Sequence, residues 1–267
     1  MSGLNDTVLS LLGAEVLRSR PLHGGDLSDV QLLSLSDGRR VVAKTGPLVA
    51  AEAAMLRAVR DAGVPAPEVL GVGRGLLLME ALEETGANAK GWQALGHALQ
   101  QLHSATGPHY GWAEDYAFGP VAVPNAPLEN WVEFWASRRL LADPGALPRD
   151  LRLRVEALCA RLPELLPAAA PAALLHGDLW SGNVLFSGPK AYLIDPACYW
   201  GDAEADLAML HLFGTPPADF HDAYGPLEPG FEARRALYQL WPALVHLRLF
   251  GASYRNMVET RLDALGF

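Results

Sequence analysis

LLHGDLWSGNVLFSGPKAYLIDP, residues 174–196, is the stretch whose reading decides this chain. It strings a His-Gly-Asp turn, an amide and a second aspartate along a path that folds back on itself. Residues 184–186 and 191–194 are short apolar runs separated by Ser187-Gly188-Pro189-Lys190. That pattern predicts a β-hairpin with a four-residue turn. Counting back from the turn pairs Phe186 with Ala191, sets Asn183 opposite Ile194, and leaves Asn183 beside Asp195.

An amide oxygen and a carboxylate so placed are hard ligands suited to Mg²⁺, which takes one or two such groups plus substrate phosphates. Asp178 stands five residues before Asn183. An aspartate, an asparagine five positions on, and a strand ending in aspartate together match the layout of a protein-kinase-type phosphotransfer loop. There the first carboxylate accepts the proton of the attacking hydroxyl, and the other two hold the metal on the phosphates. Any one of these residues alone reads as a turn cap; the three at this spacing read as a site.

Upstream, the pattern is a glycine-punctuated meander. A helix over 4–12 ends at Gly13, and strands are predicted at 16–19, 30–34 and 41–44, with a turn at Ser36-Asp37-Gly38. Gly24 and Gly25 between the first two strands could bring backbone amides to phosphates, and a plain hairpin turn explains them nearly as well. VVAK ends the third strand at Lys44, and a helix over 49–62 carries Glu52. Separately these two are ordinary solvated charges; with the later hairpin they read as the lysine that pairs the α- and β-phosphates and the glutamate that fixes it.

Strands at 69–72 and 76–79 lead to Glu80-Ala81-Leu82, whose backbone suits a hinge facing an adenine edge and equally suits a domain linker. From Gly91 the period turns helical, with Trp92, Leu95, Ala98, Leu99 and Leu102 on one face. Residues 107–125 read as an aromatic, Gly- and Pro-rich loop containing Tyr110, Trp112, Tyr116 and Phe118, a candidate binding surface. Further helices are expected around Trp131–Leu141 and over 151–166, 203–213, 231–250 and 252–265. Asp206, near the start of the third, is placed to anchor the catalytic loop through backbone amides.

The chain has 267 residues, enough for two lobes with their own cores. Half of them are hydrophobic and 19% charged, as in ordinary globular proteins. A formal net charge of −9 argues against nucleic acid as a partner. Two cysteines, Cys159 and Cys198, give no disulfide framework and fit a reducing cytosol. There is no basic leader before an apolar run, and no apolar run long enough for a membrane span. The expectation is a cytoplasmic monomer with no membrane partner.

HGDLWSGN at 176–183, IDPACYWGDAEADLAM at 194–209, the LYQLWPALVHLRLFG tail and the GW…DY…PN…W..F…RRL region together resemble the fructosamine kinase (ketosamine kinase) family, within the aminoglycoside phosphotransferase and choline kinase superfamily. The resemblance implies an α+β, bilobal protein-kinase-like fold: a small N-terminal antiparallel β-sheet lobe, residues 1–82, that binds nucleotide, and a larger, mainly helical catalytic and substrate-binding lobe, residues 83–267. It implies ATP- and Mg²⁺-dependent phosphorylation of a sugar hydroxyl on a ketosamine or glycated amine, a deglycation-repair activity. On matching positions it makes Asp178 the base, Asn183 and Asp195 the magnesium ligands, and Lys44 with Glu52 the phosphate pair. Gly24, Gly25, Glu80 and Leu82 fall on the nucleotide side, and Trp180 and Tyr116 border the sugar. Two departures bear on the acceptor: Ala203 where an arginine is common, and VHLRLFG around His246. Some relatives carry a cysteine in the glycine-rich loop; this one has none. Two alternatives stand beside this reading: a kinase of another small molecule such as an aminoglycoside or amino alcohol, and a nucleotide-binding pseudokinase.

Overall fold

The structure, a computed structural model, describes residues 2–22 and 29–267. Gly24 and Gly25 lie outside the described residues. Helix α1 (Ser2–Leu12) is followed by strands β1 (Val16–Pro21), β2 (Asp29–Leu35) and β3 (Arg40–Thr45), helix α2 (Val49–Asp61), and strands β4 (Val69–Gly73) and β5 (Leu76–Glu80). The five strands form one antiparallel sheet in the order β1-β2-β3-β5-β4.

Alternation along the pleat sorts the two faces of this sheet. Val41 and Ala43 of β3, with Leu76 and Leu78 of β5, point to the side covered by α1. Leu77 and Met79 point the other way, into the core shared with α2. Lys44 follows Ala43, so the pleat turns it to the α2 side, where Glu52 waits.

A linker over residues 81–88 enters helix α3 (Ala89–Ser104), whose N-cap Asn88 accepts the Gly91 N–H at 3.0 Å. Strands β6 (Tyr116–Phe118) and β7 (Val121–Val123), a four-residue helix α4 (Trp131–Phe134) and helix α5 (Arg149–Leu165) come next. Strand β8 (Ala173–Leu175) precedes the hairpin β9 (Val184–Ser187) and β10 (Lys190–Leu193), and β11 (Tyr199–Gly201) returns to pair with β8. Helices α6 (Glu204–Leu210), α7 (Ala218–Tyr224), α8 (Phe231–Phe250) and α9 (Arg255–Ala264) complete the larger lobe. The bilobal, sheet-plus-helix architecture agrees with the sequence reading. Among the described residues, no helix is long and apolar enough to cross a membrane.

Three elements differ from expectation. The aromatic stretch 107–125 is not a plain loop, because it folds into the β6–β7 hairpin. The helix expected from Trp131 to Leu141 is α-helical only to Phe134, then widens into a π turn over Trp135–Leu140, closed by Leu141 N–H to Ala136 O at 2.8 Å. The helix expected over 203–213 stops at Leu210, which leaves Phe213 beyond its end.

Candidate active site

The hairpin register counted from the sequence is the register observed. Phe186 pairs with Ala191, and Ile194 N–H donates to Asn183 O at 3.1 Å. This hairpin is tied to the inter-lobe linker: Thr85 N–H reaches Phe186 O at 2.9 Å, and Gly188 N–H reaches the Thr85 hydroxyl at 2.7 Å.

Asp178 is delivered by the turn after β8. At its centre Gly177 has φ +82°, and a Cβ there would run into the Ala197 carbonyl, so both conformation and space require glycine. Asp206, in the first turn of α6, accepts the backbone amides of His176 at 2.6 Å and Gly177 at 2.9 Å, as the sequence suggested. His103 Nε2 lies 3.2 Å from the same carboxylate, and its Nδ1 meets the Tyr224 hydroxyl at 2.9 Å. The Asp178 N–H donates to His176 Nδ1 at 3.3 Å, which leaves the Nε2 proton to bond Ile194 O at 2.9 Å. The His176 ring therefore links the turn that carries Asp178 to the residue before Asp195.

Asn183 donates both amide hydrogens to Asp178, one to its backbone carbonyl at 2.8 Å and one to Oδ2 at 2.9 Å. Its Oδ1 is left as an acceptor for a cation. Asp195 holds φ +52°, a left-handed conformation that costs a non-glycine residue on the order of 1 kcal/mol. Lys44 Nζ sits 2.7 Å from Glu52 Oε2 and 3.0 Å from Asp195 Oδ1, with Lys44 and Glu52 both buried. Burial pulls the Lys44 ammonium down, but the two carboxylates outweigh it and the net shift is upward. Glu52 is raised by burial and by Asp195, against the attraction of Lys44. Burial also raises the Asp178 carboxyl, and the hydrogen bond from Asn183 opposes it. A raised carboxyl is the stronger base.

These five residues open onto one cleft of about 790 Å³. Trp180 and Tyr116 are also on its wall. Burial drives the Tyr116 hydroxyl upward, reinforced by the charges of Glu52, Asp195 and Asp178, so the phenol stays neutral. Glu80 and Leu82 do not line this cleft: Glu80 ends β5, where its Oε2 accepts the Glu68 N–H at 3.3 Å, and Leu82 lies in the linker that follows. Among the described residues no three His, Cys, Asp or Glu side chains cluster as a metal cage. The donor set offered by Asn183 and Asp195 instead suits a cation that draws its remaining ligands from phosphates and water.

Sequence reading missed Phe213, Phe250 and Tyr254, which line the same cleft. A signal existed, since both phenylalanines stand in Leu-Phe-Gly at 212–214 and 249–251, each just past or at the end of a helix.

Residues 10–265 match the family model for fructosamine kinase. A probable ketoamine kinase of Thermus thermophilus is 37% identical over 255 residues, which cover 91% of this chain and 92% of that one. A solved structure of a candidate fructosamine-3-kinase from Thermobifida fusca superposes with a TM-score of 0.90 at 34% identity, covering 99% of each chain. An aminoglycoside phosphotransferase solved with AMP-PNP and hygromycin B shares the fold, with a TM-score of 0.67 at 17% identity.

Proposed function

The chain belongs to the fructosamine kinase family, ATP-dependent phosphotransferases with an alcohol acceptor, and from that premise we propose how its own residues phosphorylate a ketosamine hydroxyl. The observation that carries the reading is the single cleft shared by the Lys44–Glu52–Asp195 cluster and the Asn183-braced carboxylate of Asp178. In this reading residues 1–82 hold the nucleotide and residues 83–267 the acceptor. Lys44, fixed by Glu52, neutralises the α- and β-phosphates. Mg²⁺, held by Asn183 Oδ1 and the Asp195 carboxylate, would supply charge neutralisation on the triphosphate. Gly24 and Gly25 are assigned to the nucleotide phosphates, and the backbone at Glu80 and Leu82, which do not line this cleft, to the adenine edge at the hinge.

The acceptor oxygen attacks the γ-phosphorus, the bond to the β-phosphate oxygen breaks, and the hydroxyl proton passes to the Asp178 carboxylate. ADP leaves. Positioning and charge stabilisation carry most of the barrier reduction, and the base adds about 10²–10⁴-fold. Trp180 and Tyr116 are placed against the sugar. Both halves of the cleft come from one chain, which supports action as a monomer, and the two unpaired cysteines support a cytoplasmic setting.

An ADP-release assay run in parallel with ribulosamines, fructosamines, aminoglycosides and choline tests the reading. Turnover is expected with the ketosamines, and Asp178→Asn should abolish it while nucleotide still binds. Preference for choline or an aminoglycoside would assign the site to another acceptor. Nucleotide binding without turnover on any member would mark a pseudokinase.

A further inference from the structure

Among the described residues, the exposed large aromatic side chains are Trp180, Phe213 and Phe250, at 38%, 45% and 42% exposure. All three stand on one wall of the cleft. They form a continuous ladder: Trp180 meets Phe213 at 5.9 Å between ring centroids, Phe213 meets His246 at 5.2 Å, and His246 meets Phe250 at 5.6 Å and Tyr254 at 5.1 Å. The ladder begins two residues from Asp178, with the Trp180 indole lying over Gly182, where any side chain would collide with the ring. It ends on the short turn after α8.

Exposed rings concentrated on one wall are unusual for a soluble surface and mark a binding face. The centre of the ladder is also polar in one direction. His246 Nδ1 donates to Pro242 O at 2.8 Å, so in the neutral ring the lone pair is on Nε2. A wall of π faces with one acceptor nitrogen suits a cation that bears apolar substituents.

A ketosamine has two parts. Its sugar hydroxyl must reach Asp178, and its secondary amine, protonated at neutral pH, must then point away from the reacting phosphate. Resting on the phosphotransfer reading above, we infer that the Phe213–His246–Phe250–Tyr254 part of this ladder receives the amine-bearing arm of the acceptor, and that the enzyme selects ketosamines whose amine carries a planar or apolar group. The ammonium lies against the rings with an N–H toward His246 Nε2, and the arm's apolar portion covers Phe250 and Tyr254. The occupant is argued from continuity with the base-bearing loop and from its charge.

The test compares two ketosamines with the same sugar, one built on methylamine and one on benzylamine, by the ratio of their kcat/KM values. A ratio of about tenfold or more in favour of the benzyl arm is expected, since a filled apolar pocket discriminates by roughly that factor. In Phe250→Ala and in Phe213→Ala the ratio should fall toward one. Phe250→Leu, which keeps the volume without the π face, should retain part of it. A thermal melt of each variant confirms that it folds. A ratio near one in the unaltered enzyme, or a ratio untouched in both alanine variants, would overturn the assignment. So would a change of oligomeric state in Phe250→Ala at constant ratio, which would give the wall to a second copy of the chain. Equal turnover of both compounds defeats only the arm assignment; absence of turnover on any ketosamine defeats the ketosamine reading of the site and this inference with it.

Discussion

Asp195 shows how much one residue is asked to do. Its backbone is held at φ +52° and its carboxylate is 38% exposed, facing the cleft while one oxygen rests on Lys44. Asp195→Ala should cost most of the Mg·ATP affinity, read by isothermal titration with and without Mg²⁺; equal binding in the two proteins would remove Asp195 from the metal role. Asp202 is a contrasting carboxylate, with no place in the cleft. It accepts the Tyr238 hydroxyl at 2.6 Å and the Glu204 N–H at 3.0 Å, and burial raises it above its ordinary value of 3.8. A carboxyl raised in the folded state stabilises the fold below the unfolded value, and that contribution is lost as pH rises through the folded one. Asp202→Asn should therefore melt progressively higher relative to the parent as pH rises above the ordinary carboxyl value of 3.8. A difference independent of pH would show that Asp202 titrates normally.

Among the elements, the β9–β10 hairpin was legible and the β6–β7 hairpin was not, for physical reasons. In β9–β10 a Ser-Gly-Pro-Lys turn separates two apolar runs, so counting from the turn fixes every pair, Asn183 with Ile194 included. Strands β6 and β7 have three residues each, too short for a two-residue period to stand out among the aromatics of 107–125. Their position rests on contacts far away in sequence. Arg139, buried and turned inward on the π turn, donates to Pro124 O at 2.8 Å and Asn125 Oδ1 at 2.9 Å, and lies 4.0 Å above the Tyr199 ring. Asn125 in turn donates its N–H to Asp115 at 2.7 Å, the residue before Tyr116. A six-residue π turn hidden in a helix-like pattern leaves no mark in the hydrophobic period, and a buried guanidinium held by carbonyls and rings, not by a carboxylate, leaves none in the charge pattern. Arg139→Met would strand those acceptors, at about 1–3 kcal/mol each, with part offset by removing a buried charge. The expected result is faster amide exchange confined to 112–125 and a higher KM for the acceptor, with the KM for ATP little changed. Unaltered exchange in that segment would show that the hairpin holds without Arg139.

Across the whole molecule, the two lobes share one core. Met55, Leu56 and Val59 of α2 belong to the same buried cluster as Leu175 and Leu193 of the catalytic region and Leu244 of α8. Polar ties cross at the same level: Leu193 N–H to Pro65 O at 2.9 Å, Gln101 Nε2 to Ala62 O at 3.1 Å, and the ion pair between Lys44 and Asp195. Among the described residues, only the far face of the sheet, against α1, has a separate cluster. Chains of this length with two lobes commonly unfold in steps, because each lobe buries its own core. Here α2 cannot leave the sheet lobe's core without opening the larger one, so unfolding one lobe exposes apolar surface on the other. The calorimetric prediction is a single transition with equal calorimetric and van't Hoff enthalpies. Saturating Mg·ATP analogue, at about 100 times its Kd, should move that one transition as a unit by roughly 5–10 °C. Two resolved peaks, with nucleotide shifting only the lower or only the upper, would mean that the shared core does not couple the lobes and that the cleft between them is held by its polar ties alone.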